Sequence, residues 1–592
     1  MKVKVVLFVI LAFSIYSQSQ PLDLKTYAEK TDYRRTPSYS QTIEFAQKLD
    51  KTSRLIKYES FGKSAQKRDL PLLIAASDED FSPEKARKNQ KLVVLILACI
   101  HAGESDGKDA GLALFRDIAT GKEAELLKSI VILFIPIYNV DGHENFSPYN
   151  RINQIGPEEM GFRATSTNLN LNRDFMKADA PETKAFLALW NKWKPDFFID
   201  SHVTDGADHR YDMTYEFPRS YEVSSHIRDW MIENFEKKVI PKIEKEGYLV
   251  TRYFELVGRE IKDGIATFIA TPRFSTGYAA LRNRPALLLE SHSLKPYKTR
   301  VLVTYTMIKK VLEELEESKN SLKEAIYKAE IETINRGEVF NPNYRFPLQL
   351  QVTKQAEPFL FKGYEYLIED SQVSGAKKIV YTKKPSDFVV PKYDKAEITV
   401  SVDLPLFYIV PVQWEEVISI LQIHGIQFYR TKKPLTLEVE TYRLTEPKWA
   451  TRPFEGRITL TCNATKVKEK LFFPANSALI PLEQENANVA VNLLEPLSAD
   501  SFVSWGFFNA IFEQKEFYSD HVMEKIAEEM LKGDEKLKKE FEEKLKDANF
   551  KQNPRARLNF FYERSPYYDK KIGLYPIGRI TELKSEIKEA IR

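Results

Sequence analysis

Nine consecutive apolar residues, Leu92 to Ile100, end abruptly at His101, and Glu104 follows three residues later. A run with no polar break cannot be half-exposed, so it predicts a central strand covered on both faces. Whatever follows it lies at a strand's carboxyl end, where open α/β sheets build their sites. Three other stretches have the same build. IVILFIPIYN (130–139) runs into Asn139-Val140-Asp141-Gly142, whose Asp-Gly is a turn signal. DFFIDSHVTDG (196–206) predicts a short strand from Phe197 to Asp200, then Ser201 and His202. PALLLESHS (285–293) is an apolar strand that ends on Glu290. Four predicted strands therefore deliver His101 with Glu104, Asn139, His202 and Glu290 to one edge of a sheet.

The chemistry at that edge points to metal. A borderline-soft dication such as zinc takes neutral imidazole nitrogen and carboxylate oxygen, and a catalytic site uses three protein ligands and leaves a fourth position for water. The His-x-x-Glu pair supplies two, so a third ligand has to come from another strand end. Taken singly, His202 also reads as a satisfied buried histidine and Glu290 as a salt-bridged strand end; their convergence carries the argument. Among the eight histidines, His143 and His209 sit in turn-like polar contexts that could line the cleft, though solvated loops are the better reading for both. His292, two residues past Glu290, falls on the same side of an extended chain and is a candidate further contact. Cys99, inside the apolar run, predicts an inert core thiol.

HAGE (101–104), NLNLNRDF (168–175), SHV (201–203) and LLLESHS (287–293), in that order, resemble the zinc metallocarboxypeptidases of the carboxypeptidase A superfamily, of a secreted bacterial type. The similarity covers roughly residues 40–325. It implies an α/β fold, a mixed, mostly parallel sheet sandwiched by helices. Carried over by position, it implies one zinc ion bound by His101, Glu104 and His202, with Glu290 as general base. Asn172 and Arg173 match the pair that grips the substrate's terminal carboxylate. Arg163 matches the arginine that polarises the scissile carbonyl, with Arg151 as its competitor, and Tyr278 is the choice for the substrate-capping tyrosine. Elementary chemistry agrees: zinc lowers the pKa of bound water to about 7, a carboxylate relays its proton to the leaving amine, and a guanidinium binds a carboxylate through two parallel hydrogen bonds. The chain departs from the pattern at Asn170, where the family usually carries an acid hydrogen-bonded to a zinc histidine, and at Asp174, whose charge follows Arg173 directly.

Residues 1–20, with Lys2 and Lys4 ahead of an apolar core from Val5 to Ile15, predict a secretory signal cleaved after Ser19. That core is too short for a comfortable membrane span, so the expectation is a secreted or periplasmic protein with no span after signal removal. Two cysteines, Cys99 and Cys462, rule out a disulfide-carried fold, which fits a periplasm or bacterial exterior. Lys+Arg 87 against Asp+Glu 84, with no basic stripe interleaved with aromatics, gives no reason to expect nucleic acid.

A length of 592 residues exceeds one core. The expected division is a signal over 1–19 and a catalytic domain over 20–335, closed by one or two long amphipathic helices within 299–335. A β-rich accessory region follows over 336–445, then a mixed α+β region over 446–592 that ends in charged helices. The aromatic stretch SFVSWGFFNAIFEQKEFY (501–518) reads as core. The expected activity is hydrolysis of a peptide or protein substrate with a free C-terminal carboxylate. A cell-wall peptide amidase or deacylase on the same zinc site, and a catalytically silent binding protein, stay open as alternatives.

Overall fold

The computed structural model describes residues 24–591, so the expected signal and its cleavage site lie outside the described residues. The apolar run forms a strand over Leu92–Ala98, two residues shorter than its hydrophobicity. Cys99 turns the chain out of the sheet with a φ of 55°, which swings His101 to the sheet's edge. The strand belongs to an eight-stranded sheet: β1 (Ile56–Lys63), β2 (Asp69–Ala75), β3 (Leu92–Ala98), β4 (Ile130–Ile135), β5 (Phe197–Val203), β6 (Met213–Glu216), β7 (Val250–Arg252) and β8 (Ala286–Ser291). The strands lie in the order β1-β2-β4-β3-β5-β8-β6-β7. The four strands singled out by sequence are the contiguous centre, β4-β3-β5-β8, and all run parallel. Antiparallel pairings of β1 with β2, β2 with β4 and β8 with β6 make the sheet mixed.

Both faces of β3 are buried, as a continuous apolar strand requires. Leu92, Val94, Ile96 and Ala98 enter a core with Leu112 and Phe115 of helix Asp106–Ala119 and Val303 and Met307 of helix Tyr297–Glu338. Val93, Leu95 and Leu97 enter a second core with Phe186 and Trp190 of helix Pro181–Trp193 and Tyr278 of helix Ser275–Leu281. That second core continues without a break into Tyr408, Val410, Val491, Phe502 and Phe508 of the C-terminal half. The long amphipathic segment is one helix of 42 residues that runs from the catalytic half into the C-terminal half.

The expected boundaries do not separate structural units. Strand Leu435–Trp449 crosses the 445/446 division and pairs antiparallel with Leu460–Phe473. Both belong to a six-stranded sheet that also takes in Phe407–Val410, Tyr429–Arg430, Ala478–Pro481 and Gly578–Ile580. Backbone pairing unites the two C-terminal regions, and the core they share with helices Pro181–Trp193 and Ser275–Leu281 unites them with the catalytic half. A separate ribbon, Ala356–Asp370 with Lys377–Tyr393, reaches back to the catalytic half, where Lys392 and Tyr393 pair with Ile265 and Ala266. Among the described residues no helix is long and apolar enough to cross a membrane.

Candidate metal centre and cleft

Parallel register places Glu290 of β8 beside His202 of β5, and Leu97 of β3 opposite Asp200. The turn after β3, closed by the Glu104 amide donating to the His101 carbonyl at 2.9 Å, brings His101 and Glu104 to the same spot. Gly103 is needed there. A Cβ on it would lie 2.7 Å from both the Gly161 carbonyl oxygen and Arg151 Cγ.

His101 Nδ1 lies 3.0 Å from Glu104 Oε1, His202 Nδ1 lies 3.0 Å from Glu104 Oε2, and the two Nδ1 atoms face each other at 3.3 Å. All three residues are buried, and their ligand atoms lie within 4.8 Å of one another. The outward nitrogens are both held: His101 Nε2 by Asn170 Oδ1 at 3.2 Å, and His202 Nε2 by Asp200 Oδ2 at 2.8 Å. Two imidazoles and one carboxylate converging on a point, with their far sides anchored, form a shell that fits zinc and leaves a position open.

The electrostatics follow from that convergence. Burial pushes His101 down to about 4, so its imidazole is neutral at pH 7, the form that ligates metal. For His202 burial acts the same way but is outweighed by Asp200 and Glu104, which hold it well above its ordinary value. Burial pushes Glu104 up, yet His101 and Arg151 hold it well below the usual carboxylate range. Glu290 is pushed up to about 8 by its surroundings of protein, with Glu104 and Asp200 adding to the rise against His202. Asn172 Nδ2 lies 3.5 Å from His202 Nε2, and Asn172 Oδ1 accepts from the Ser275 amide at 3.0 Å.

Both candidate arginines reach Glu104 Oε1. Arg151 Nη1 is at 3.0 Å with its side chain 9% exposed, and Arg163 Nη1 is at 3.4 Å with its side chain 41% exposed. Arg173 donates to the Asn172 carbonyl at 2.8 Å and lies over the Phe274 ring at 4.1 Å. Among the described residues no carboxylate pairs with it. Burial, joined by the nearby Arg163 charge, lowers its pKa against the opposing charges of Glu455 and Asp500. Asp174, whose charge stood beside Arg173 in the sequence, is instead buried against Lys177 and the Asp179 and Ala180 amides.

Tyr278 is corrected. It is fully buried in the core shared with the C-terminal half, with its hydroxyl accepting from Arg282 at 2.8 Å and 3.1 Å from His424 Nδ1. The helix it sits on turns that face to the apolar core, so it cannot cap a substrate. A tyrosine missed in the sequence, Tyr253, lines a cavity of about 320 Å³ with Thr204, Asp205, Thr214 and Phe254. Burial, and next the Glu290 charge, push its phenol up. It follows a three-residue strand and belongs to no motif.

His143 and His209 are not solvated. His143 Nε2 lies 2.8 Å from buried Lys108 Nζ, and His209 stacks on His292 with ring centroids 3.8 Å apart. His292 turns from the metal centre to Asp208, 3.2 Å from Nε2. Asn139 is also structural: it caps the helix after β4 through the Gly142 amide and donates to the Arg163 carbonyl. Cys99 is buried, its thiol pushed up to about 12, and is inert.

Residues 42–266 match a family model described as zinc carboxypeptidase. Carboxypeptidase 2 of Trichophyton tonsurans is 24% identical over 489 residues, covering 79% of this chain and 84% of the relative. Carboxypeptidase 2 of Trichophyton rubrum is 24% identical over 490 residues with the same shares. Alignments of that span run well beyond the family model into the C-terminal half. Among solved structures, a metallo-carboxypeptidase from Burkholderia cenocepacia superposes with a TM-score of 0.36 at 15% identity, over 48% of this chain and 70% of that one. A metallo-carboxypeptidase from Pseudomonas aeruginosa, in complex with (2-guanidinoethylmercapto)succinic acid, gives 0.36 at 16%, over 48% and 68%.

Proposed function

We propose, from the match of residues 42–266 to a family model described as zinc carboxypeptidase, that the chain is an exported peptide hydrolase that cleaves the bond next to a substrate's free C-terminal carboxylate. The observation that carries this reading is the meeting of His101, Glu104 and His202 within 4.8 Å, at the end of the same strands that bring Glu290 alongside.

Zinc held by those three residues would supply Lewis acidity toward a peptide carbonyl and would make a neighbouring water acidic. The chain's own groups do the rest. Arg173, half-buried and without a carboxylate partner among the described residues, receives the substrate's terminal carboxylate in a charge-assisted pair. Glu290, whose carboxylate accepts no hydrogen bond among the described residues, is free to take a proton from water and deliver it to the leaving nitrogen. Arg163 or Arg151 faces the charge that develops on the carbonyl oxygen. Asn170 and Asp200 orient the two imidazoles.

Glu290→Gln is expected to keep the fold and the zinc content while turnover falls by roughly 10²–10⁴. Near-normal turnover in that variant removes Glu290 from the role. Release of free C-terminal amino acids from ordinary peptides, compared with wall-derived ones, separates this activity from that of a cell-wall amidase.

A further inference from the structure

The loop that carries Asn170, Asn172 and Arg173 is not held by the catalytic half alone. The Asn170 amide donates at 2.8 Å to Glu455 Oε2, from the hairpin turn between strands Leu435–Trp449 and Leu460–Phe473 of the C-terminal sheet. The turn is closed by paired hydrogen bonds between Phe454 and Arg457, with φ of 50° at Glu455 and 79° at Gly456. Two left-handed residues make a primed hairpin turn, which favours Asn or Asp followed by Gly. Glutamate is uncommon at positive φ, and an unfavoured residue held in such a conformation points to a task for its side chain. Gly456 lets the tip close on the loop, since a Cβ there would already lie 3.3 Å from Leu169 Cδ2.

Two further contacts fix the same region. Arg457 pairs with both oxygens of Asp179, at 2.8 and 2.6 Å. Buried Asp500 accepts from the Arg273 amide and from Arg273 Nε, at 2.9 and 2.6 Å. Arg273 precedes Phe274 and Ser275, which support Arg173 and Asn172.

We infer that Glu455, on the C-terminal half, is a positioning residue for the substrate-carboxylate site. It holds the Asn170 backbone, and Asn170 Oδ1 in turn accepts from the Asn172 amide at 3.0 Å and braces His101 Nε2. Arg173 follows on the same single turn of helix, Leu171–Arg173. With the anchor gone, the guanidinium loses its preset direction. This inference rests on the reading of Arg173 as the carboxylate grip.

The test measures, on the zinc-loaded full chain by calorimetry, the preference for an N-acylated amino acid with a free carboxylate over its methyl amide. The wild type is expected to prefer the carboxylate. Glu455→Ala is expected to lose about tenfold of that preference, the scale of one hydrogen bond to a charged acceptor. Glu455→Gln keeps an acceptor oxygen for the Asn170 amide without the charge and is expected to lose clearly less than the alanine variant, about threefold. Steady-state kinetics with a peptide should place the Glu455→Ala defect in KM rather than kcat. Full preference in Glu455→Ala, or equal losses in the alanine and glutamine variants, overturns the inference. Arg173→Ala is the separate check: if it too keeps the full preference, or if the wild type has none, the carboxylate reading itself falls.

Discussion

At the scale of single residues, the two zinc-facing histidines differ in what stands behind them. Asn170 offers His101 an uncharged oxygen, whereas Asp200 offers His202 a carboxylate, also bonded to the Ser275 hydroxyl. A charged acceptor raises the basicity of the imidazole it touches and fixes its ring, and removing such a partner typically costs 10–100-fold in metal affinity. Asp200→Asn is therefore expected to weaken zinc binding by about 10–100-fold, and Asn170→Ala by clearly less. Competition with a chromogenic chelator measures both, and equal losses would place the amide and the acid on the same footing. The sequence showed the missing acid behind His101, at Asn170, but not the acid that stands behind His202. Asp200 and His202 are two apart on β5, the spacing that puts both on one side of a strand, and DFFIDSH carries that signal. Glu104 and His101 were legible because a three-residue spacing after an apolar strand is local. Tyr253 and Glu455 were not, because long-range folding alone brings them in.

At the scale of elements, the ribbon of Ala356–Asp370 and Lys377–Tyr393 is legible as alternating β structure, but its destination is not. Its alternation fixes which side chains share a face and says nothing about what that face meets. In the structure Lys383 from the ribbon reaches Asp208 at 2.6 Å, Gly363 bridges His209, and Arg210 pairs with Asp387. Burial pushes Asp208 up, but hydrogen bonds from His292 and Lys383 outweigh it and hold its carboxyl down to about 2, against an ordinary 3.8. A folded-state pKa below the unfolded one stabilises the fold above the unfolded value and loses that stabilisation as pH falls through the folded value. Asp208→Asn is accordingly expected to cost about 1–2 kcal/mol at pH 7, allowing for the exposure of Lys383, with the difference from wild type closing between about pH 4 and 2. Urea unfolding across that range checks it; a gap that persists at pH 2 would assign the loss to packing rather than charge.

At the scale of the molecule, the division into a catalytic domain and two appendages fails for a reason that composition cannot show. Helices of the catalytic half cover both faces of the central sheet, and on one of them helices Pro181–Trp193 and Ser275–Leu281 share their core with Tyr408, Val410, Phe502 and Phe508. A common core predicts common unfolding: the chain from residue 24 onward is expected to melt in one calorimetric transition whose van't Hoff and calorimetric enthalpies agree. A chain ending at residue 338, which leaves the Trp190 and Tyr278 face uncovered, is expected to bind a hydrophobic dye and lack a sharp transition. Two resolved transitions in the longer chain would restore independent domains. The hairpin tip at Glu455 carries a consequence of a different kind, in time. Asn170 and Glu455 are 285 residues apart, and a ribosome adding about 5–20 residues per second separates their appearance by roughly 15–60 s. For that interval the nascent chain already bears every residue of the loop that would hold a substrate, while the brace that aims it has yet to be made.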